Sequence, residues 1–218
     1  MIRKARYKSI GYRKNWHLKK IVVMAALKLV LVRHAESKGN IAGSLTGTDA
    51  DVLSEEGERQ AIALSDSLKP FGIFDTVYVS NTERAIQTAR LAGFDAMLLT
   101  SLLKETNGGT WGGRPRSEFD AEFPSFFNPL DLERAYPDGE SHFEMGQRVL
   151  SFISSEVMPR HDQKVLLFTH LGPINIILHK LFDIELSRFP MFKLRNCAIV
   201  ELDICLVDGS MLLKKASF

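Results

Sequence analysis

The chain has 218 residues, of which 45% are hydrophobic and 25% charged, and its formal net charge at pH 7 is +2. This length suits one large domain or two small ones with a substantial core, and no apolar run approaches the roughly 18 residues of a membrane span. Cys197 and Cys205 fall in one predicted strand, about 27 Å apart at strand rise, which excludes a disulfide between them. We therefore expect a cytoplasmic protein that enters no membrane.

The positive charge is concentrated in residues 1–23, which hold eight lysines or arginines and no acidic residue. The other 20 basic residues and all 26 acidic residues lie in 24–218, whose net charge is therefore −6. This composition loosely suits an organelle transit peptide. It would also suit a basic arm that binds nucleic acid or membrane, but the segment has no aromatic or repeat pattern that would support such an arm. We predict a disordered extension over 1–23, one folded domain over 24–218, and no nucleic-acid partner.

Strand and helix patterns alternate along the first half of the domain. An apolar run predicts a strand at 27–32. Ser54, followed by two glutamates, predicts the start of a helix that ends before Pro70. The next predicted elements are a strand at 76–79, a helix from residue 81 or 82 to about 93, and a strand at 96–99.

The second half begins with a segment rich in Gly, Pro and Phe at 106–140, which we interpret as an insertion over the domain with a short helix at 117–123. Its phenylalanines either shape the substrate side of a site or form a local core. The further predictions are a helix at 141–158, a strand at 164–169, a helix at 172–182, and a hairpin of 197–206 with 211–216 around Asp208-Gly209. This alternation predicts an α/β sheet with helices on both faces.

Two predicted strands end in the same way, "LVLVRH" at Arg33-His34 and "VLLFTH" at His170. A third, "TVYVSNTER", places Arg84 in the first turn of the following helix. Each residue alone has an ordinary interpretation. Arg33, His34 and His170 would be solvated or hydrogen-bonded strand ends, and Arg84 would be a solvated helix residue. The carboxyl ends of parallel strands form the ligand crevice of open α/β sheets, so we expect all four side chains to converge there.

Two arginines and two histidines in one crevice suit a dianionic phosphoryl group. Guanidinium groups bind phosphate oxygens bidentately, and a helix that begins at Thr82 directs backbone N–H groups at an anion. Two neighbouring cations disfavour protonation of His34. Its imidazole should then be neutral and nucleophilic near pH 7, the state that attack on phosphorus requires.

Several ordered motifs resemble those of the histidine phosphatase superfamily, also called phosphoglycerate mutase-like. They are "RHAES" followed by Asn40, "LTGTDADVLSEEGERQA", "VSNTERAIQTA", "LLKETNGGTWGG", "PDGES" and "FTHLGPI". The resemblance extends from residue 24 to about residue 206. It implies a three-layer α/β/α fold with a mostly parallel central sheet.

The resemblance also implies a role for individual residues. His34 would be the nucleophile that becomes phosphohistidine, and Glu105 the proton donor. Arg33, Arg84 and His170 would form the phosphate pocket, Asn40, Thr46 and Gly47 would line it, and Glu140 and Ser141 would contact substrate. Two positions depart from the family pattern, because Ala35 and Leu171 stand where glycines are usual, and both changes bear on pocket specificity.

The segment after the acid separates branches of this family. Glu105 is followed by Thr-Asn-Gly-Gly, whereas mutases have an Arg-His-Tyr-Gly-type stretch there. The long segment at 106–140 is absent from the short members that act on protein phosphohistidine. The chain looks more like phosphatases of small phosphomonoesters, including α-ribazole phosphatase-like members. We predict a phosphomonoesterase that needs no metal or cofactor, with a small phosphorylated molecule as its partner.

Three alternatives stay open at this point. The first is a 2,3-bisphosphoglycerate-dependent phosphoglycerate mutase, and the second is a catalytically silent relative used for binding or as a scaffold. The third is a metal-dependent hydrolase, although no His or acidic pair has the helical spacing of a metal motif and the arginines would repel a cation. A homodimer is one assembly that the sequence leaves open.

Overall fold

A six-stranded sheet forms the centre of the protein in the computed structural model, which describes residues 26–127, 131–161, 163–205 and 211–216. The spatial order is β3-β2-β4-β1-β5-β6; β3, β2, β4 and β1 are parallel, and β5 is antiparallel to β1 and β6. The strands are β1 (Ala26–Arg33), β2 (Thr76–Ser80), β3 (Leu98–Thr100), β4 (Lys164–Thr169), β5 (Ile199–Cys205) and β6 (Met211–Ala216).

Helices cover both faces of this sheet, and the expected three-layer α/β/α arrangement with a mostly parallel sheet is confirmed. They are α1 (Lys38–Ile41), α2 (Glu55–Leu68), α3 (Glu83–Leu91), α4 (Arg116–Glu122), α5 (His142–Phe152), which a π-helical turn (Ile153–Val157) extends, and α6 (Leu171–Leu181). None of the helices in the described ranges is both long enough and apolar enough to span a bilayer.

Two hydrophobic cores lie on opposite faces of the sheet. Successive side chains of a strand point to opposite faces, so Leu29 and Leu31 of β1 pack with α5 and α6, whereas Val30 and Val32 pack with α2 and α3. Both faces of β1 are buried over residues 29–32, which explains why this part of the strand is continuously apolar rather than alternating.

Most predicted elements are present, with shifted ends. The strand expected at 96–99 covers Leu98–Thr100, and the helix expected at 172–182 covers Leu171–Leu181. The strand expected to begin at Cys197 begins at Ile199 instead. Cys197 has φ +57°, and its N–H donates to the carbonyl of Arg33 at 3.1 Å, so the chain turns there before it enters β5. Residues 1–23 and the turn at Asp208-Gly209 lie outside the described residues.

The segment 106–140 has a small aromatic core of its own. Phe119 is fully buried, and its ring contacts those of Trp111, Phe126 and Tyr136 at centroid distances of 5.4, 4.9 and 5.5 Å. Both sequence interpretations of the phenylalanines therefore apply in part, because Phe119 serves this local core while Phe127 lines the large cavity described below.

The loop after His34 packs tightly against the start of α2. Ser54 caps this helix by accepting from the Gly57 N–H at 2.9 Å, and its own N–H donates to the Glu36 carbonyl at 3.0 Å. A Cβ on Gly57 would lie 1.9 Å from that carbonyl oxygen. Glycine at 57 therefore allows the backbone of α2 to contact the backbone of Glu36 in the loop after His34.

We predict that Gly57→Ala lowers the free energy of unfolding by about 1–3 kcal/mol, because the added methyl group cannot enter this contact without moving the loop. In an uncrowded helix the same change would raise the free energy of unfolding by up to about 1 kcal/mol. A decrease would therefore show that the added methyl group is crowded at this position. Urea unfolding measures it, with Glu58→Ala on the exposed neighbouring position as the control. A Gly57→Ala protein as stable as the wild type would show that the loop after His34 shifts freely.

Candidate active site

The ends of three adjacent parallel strands bring the predicted residues together. Arg33 ends β1 and His34 follows it, while His170 follows β4 and is the N-cap residue of α6. The His34 N–H donates to the carbonyl of Thr169 at 2.9 Å, which fixes the two strand ends relative to each other. The two imidazole centroids are 5.0 Å apart, with their rings tilted by 60°.

Arg84, in the first turn of α3, connects the two histidines. Its side chain donates from Nε to His34 Nε2 at 3.3 Å and from Nη2 to His170 Nδ1 at 3.2 Å. Its Nη1 donates to the Thr48 carbonyl at 2.7 Å and lies 3.7 Å from a carboxylate oxygen of Asp51. The residue is 2% exposed; burial lowers the pKa of Arg84, and Asp51 acts in the opposite direction.

These contacts fix the tautomer of His34. A guanidinium group has only donors, so His34 Nε2 must accept from Arg84 with its lone pair. Its Nδ1 then carries the proton and donates to the carbonyl of Ala35 at 2.7 Å. The imidazole therefore presents an unprotonated Nε2 beside the guanidinium group of Arg84.

Both strand-end histidines are held in the neutral form. The pKa of His34 lies well below its usual value, first because of burial and then because of Arg84 and Arg33. The sequence also predicted a lowered pKa for His34, on the ground of two neighbouring cations. Burial, however, lowers this pKa more than the two arginines do. Burial and the charge of Arg84 likewise hold the pKa of His170 well below its usual value.

His170 has both ring nitrogens engaged. Its Nδ1 accepts from Arg84, so its Nε2 carries the proton and donates to Ser80 Oγ at 2.8 Å, with Thr82 Oγ1 at 3.4 Å. Thr82 is the N-cap residue of α3, but its hydroxyl makes no capping bond to that helix. In this arrangement His170 orients Arg84.

Two donors in the cavity have no partner among the described residues. Arg33 donates from Nη1 to the Leu194 carbonyl at 2.5 Å, while its Nε is buried and unpaired. Thr46 Oγ1 is also buried and unpaired. Buried polar groups are nearly always hydrogen-bonded in proteins. Burial lowers the pKa of Arg33, while Glu105 acts in the opposite direction.

Glu105 is held by two backbone N–H groups. Its Oε1 accepts from Thr106 at 3.0 Å, and its Oε2 accepts from Gly172, near the start of α6, at 2.9 Å. A Cβ on Gly172 would lie 2.1 Å from Oε1. The absence of a side chain at 172 therefore makes room for this carboxylate.

These groups line a cavity of about 670 Å³, which is in the usual range for small-molecule sites. Asn40, Thr46 and Gly47 line it, as expected, and a Cβ on Gly47 would lie 2.5 Å from Arg84 Nη1. Its lining also includes aromatic and basic residues, namely Arg116, Phe127, Tyr136, His142, Arg188 and Phe189.

Glu140 and Ser141 are expected to contact substrate, and that expectation stays a prediction. Ser141 is the N-cap residue of α5 and forms a capping box with Glu144. Glu140 lines a neighbouring cavity of about 580 Å³, where it pairs with Arg148. Neither residue is among those that line the 670 Å³ cavity.

The two departures from the family pattern fit their surroundings. Ala35 is fully buried, packs with Leu53 and Ala61, and donates its N–H to Thr88 Oγ1 at 3.0 Å. Leu171 lines the cavity and packs against the larger hydrophobic core. His170 nevertheless keeps its bonds to Ser80 and Arg84, so a leucine at 171 is compatible with the histidine pair.

Sequence reasoning missed several supporting residues. Ser80 could have been predicted, because it stands at the end of β2. Position at a strand end is the same signal that identified His34 and His170. Asp51 lies in a motif that was quoted without assigning it a role. Asn196 donates from Nδ2 to the His34 carbonyl at 3.0 Å and to Asn40 Oδ1 at 3.1 Å. It follows an irregular segment whose sequence carries no comparable signal.

Within the described ranges, no group of three or more His, Cys, Asp or Glu side chains could hold a metal ion. The charged groups that act most strongly on His34 are the guanidinium groups of Arg84 and Arg33. The arrangement can therefore bind an anion next to an unprotonated imidazole nitrogen.

Comparison with known proteins agrees with this geometry. The family model described as histidine phosphatase superfamily (branch 1) matches residues 29–212. Phosphoserine phosphatase 1 of Hydrogenobacter thermophilus is 30% identical over 182 residues, which cover 79% of this chain and 84% of that protein. A probable phosphoglycerate mutase of Erwinia tasmaniensis is 27% identical over 184 residues, 81% of this chain and 85% of that protein.

A solved structure, that of a putative alpha-ribazole-5'-P phosphatase from Escherichia coli, superposes with a TM-score of 0.77 at 26% identity. The superposition covers 88% of this chain and 96% of that one. The match to the family model spans well over half of the chain, and relatives that carry phosphatase names cover most of it. The chain therefore belongs to the histidine phosphatase superfamily, and it is a phosphoric monoester hydrolase.

Proposed function

We propose that the protein hydrolyses a small phosphorylated metabolite through a phosphohistidine intermediate on His34. The observation that carries this proposal is the unprotonated Nε2 of His34, which lies 3.3 Å from Arg84 Nε in a buried, anion-binding crevice. A neutral imidazole is the nucleophilic form. Arg33 and Thr46 also line the cavity, and each carries a buried donor without a partner among the described residues.

The first half-reaction forms a bond between His34 Nε2 and phosphorus and breaks the bond between phosphorus and the ester oxygen. Glu105 gives its proton to that oxygen, which leaves as an alcohol. In the second half-reaction water attacks phosphorus and Glu105 takes a proton from the water. The bond between phosphorus and His34 Nε2 breaks, its electron pair returns to Nε2, and inorganic phosphate leaves. Arg33 and Arg84 stabilise the charge on the phosphoryl oxygens in both steps, and the Ala35 carbonyl keeps Nδ1–H oriented.

The cavity supports a small organic leaving group. Besides the strand-end residues, its lining includes the rings of Phe127 and Phe189 and the guanidinium groups of Arg116 and Arg188. Such a lining suits a molecule with both an apolar and a polar or charged part. A free metabolite would fill this space more completely than a phosphorylated side chain on a protein surface.

We predict that His34→Ala lowers the rate of phosphate release by about a thousandfold or more, because the covalent route is lost. In the wild type, brief incubation with a ³²P-labelled substrate should leave label that is stable to base, lost in acid, and located on His34. His161→Ala, at an exposed position, should keep both activity and label. Label on another residue would refute the proposed nucleophile, and label passed to a second acceptor instead of water would indicate a mutase.

A further prediction concerns pH and follows from the neutral histidine. An unfolded histidine titrates near pH 6.5, whereas the pKa of His34 in the folded protein lies well below that value. Below pH 6.5 the unfolded chain therefore binds more protons, and the folded state loses stability as the pH falls. Each such group contributes at most about 1.4 kcal/mol per pH unit.

The free energy of unfolding, measured by urea titration between pH 7 and pH 5, should consequently fall less steeply for His34→Gln than for the wild type. His161→Gln is the matched control and should leave the slope unchanged. A His34→Gln protein with the wild-type slope would mean that His34 becomes protonated in the folded state, which contradicts its role as a neutral nucleophile.

The last prediction here tests Glu105 as the general acid. Glutamine has nearly the same shape but cannot protonate a leaving oxygen, so Glu105→Gln should slow hydrolysis of an alkyl phosphate such as O-phosphoserine by about 10²–10⁴-fold. With p-nitrophenyl phosphate the loss should be far smaller, because that leaving group departs without a proton. Steady-state kinetics on both substrates decide the matter. Equal losses would show that Glu105 positions substrate or water instead.

A further inference from the structure

Glu105 lies in a segment that a neighbouring helix holds in place. Helix α5 is fixed to the sheet by the fully buried side chains of Met145 and Val149. Arg148 projects from the same helix, and Glu140 lies just before its N-cap residue, Ser141. Both charged residues therefore rest on a rigid element.

Glu140 and Arg148 form a bidentate ion pair. Arg148 Nε donates to Glu140 Oε2 at 3.1 Å, and Arg148 Nη2 donates to Glu140 Oε1 at 2.5 Å. The two side chains are only 19% and 20% exposed, so solvent screens the pair less than an ordinary surface ion pair. The fork geometry fixes the guanidinium plane as well as its position.

The same two side chains hold the backbone on either side of Glu105 and at Glu105 itself. Arg148 donates to the carbonyl of Leu102 at 2.9 Å and to the carbonyl of Glu105 at 3.0 Å. Glu140 Oε1 accepts from the N–H of Asn107 at 2.8 Å, and the Glu140 N–H donates to the Asn107 carbonyl at 3.0 Å. The segment 102–107 is thus attached at three points centred on Glu105.

The pair lies beside Glu105 and apart from His34. Glu140 and Arg148 line the neighbouring 580 Å³ cavity, which shares Arg84 and Glu105 with the 670 Å³ cavity but does not include His34. Partly buried ion pairs add little net stability, because desolvation offsets their attraction. Proton transfer, in contrast, is sensitive to position, and a displacement of about 1 Å can cost about 10²-fold in rate.

We propose that the Glu140–Arg148 ion pair is a positioning device for the proton donor, and that Arg148 sets the place of the Glu105 carboxyl group by holding its backbone carbonyl. This inference rests on the proposed function. Among the described residues neither side chain hydrogen-bonds His34 or the carboxyl group of Glu105, so the effect of the pair on the reaction is exerted through the Glu105 backbone.

The experiment is a double-mutant cycle on the full chain with O-phosphoserine and p-nitrophenyl phosphate. Its variants are Arg148→Lys, Glu105→Gln and the two combined. Lysine keeps the charge, but it cannot make the bidentate pair with Glu140 and also donate hydrogen bonds to the two backbone carbonyls. Arg160→Lys is the matched control, because Arg160 also makes several hydrogen bonds, to Tyr78, Thr76 and Glu156, at the opposite end of β2.

We expect Arg148→Lys to lower kcat for the alkyl phosphate by about tenfold to a hundredfold, with KM changed less than about threefold and p-nitrophenyl phosphate affected far less. On the Glu105→Gln background the same change should have little further effect, because the group that it positions is already lost. Arg160→Lys should leave both rates near those of the wild type. If Arg148→Lys does not fold, Glu140→Gln weakens the same pair and replaces it in the cycle.

Two results would overturn the inference. Additive losses in the double mutant would show that Arg148 acts on something other than Glu105. The second result would be that Arg148→Lys lowers kcat equally on both substrates although Glu105→Gln lowers it mainly on the alkyl phosphate. Arg148 would then have a general structural role. Failure of the proposed function is distinguishable: if Glu105→Gln fails to discriminate but the cycle is still non-additive, Glu105 is not the acid while Arg148 still positions it.

Discussion

The site depends on one buried cation, the guanidinium group of Arg84. Taking an arginine out of water is costly unless its donors are paired, and here each nitrogen has a partner: His34, His170 and the Thr48 carbonyl. The same bonds that satisfy Arg84 orient the lone pairs of both imidazoles. Burial and the charge of Arg84 keep both imidazoles unprotonated, and in the proposed function this one group both prepares the nucleophile and binds the substrate.

Residues next to Arg84 compensate its charge, leave space for its guanidinium group and fix its hydrogen-bond partners. The carboxylate of Asp51 offsets its charge at 3.7 Å, and Gly47 leaves the space that Nη1 occupies. Ser80 accepts from His170 and thereby fixes the ring that accepts from Arg84. These residues come from separate parts of the chain, and the parallel order of β2, β4 and β1 is what brings them to one edge of the sheet.

The sequence was informative wherever function follows from position along a strand. His34 and His170 were predictable because strand ends in a parallel sheet meet at one edge, and Arg84 because a helix begins just after β2. The start of β5 was misplaced, because the positive φ of Cys197 depends on a hydrogen bond to Arg33 that lies 164 positions away in the chain. Arg148 looks like any charged residue on a helix, since its partners besides Glu140 are backbone carbonyls that no residue type reveals.

Gly172 and Arg84 act on different groups of one cavity. The missing side chain of Gly172 leaves room for the carboxyl group of Glu105, whereas Arg84 lies on α3. The atoms nearest to an added carbon at 172 belong to Glu105 and Met145. A substitution at 172 is therefore a route by which this fold would lose the proposed proton donor without any change to Glu105 itself.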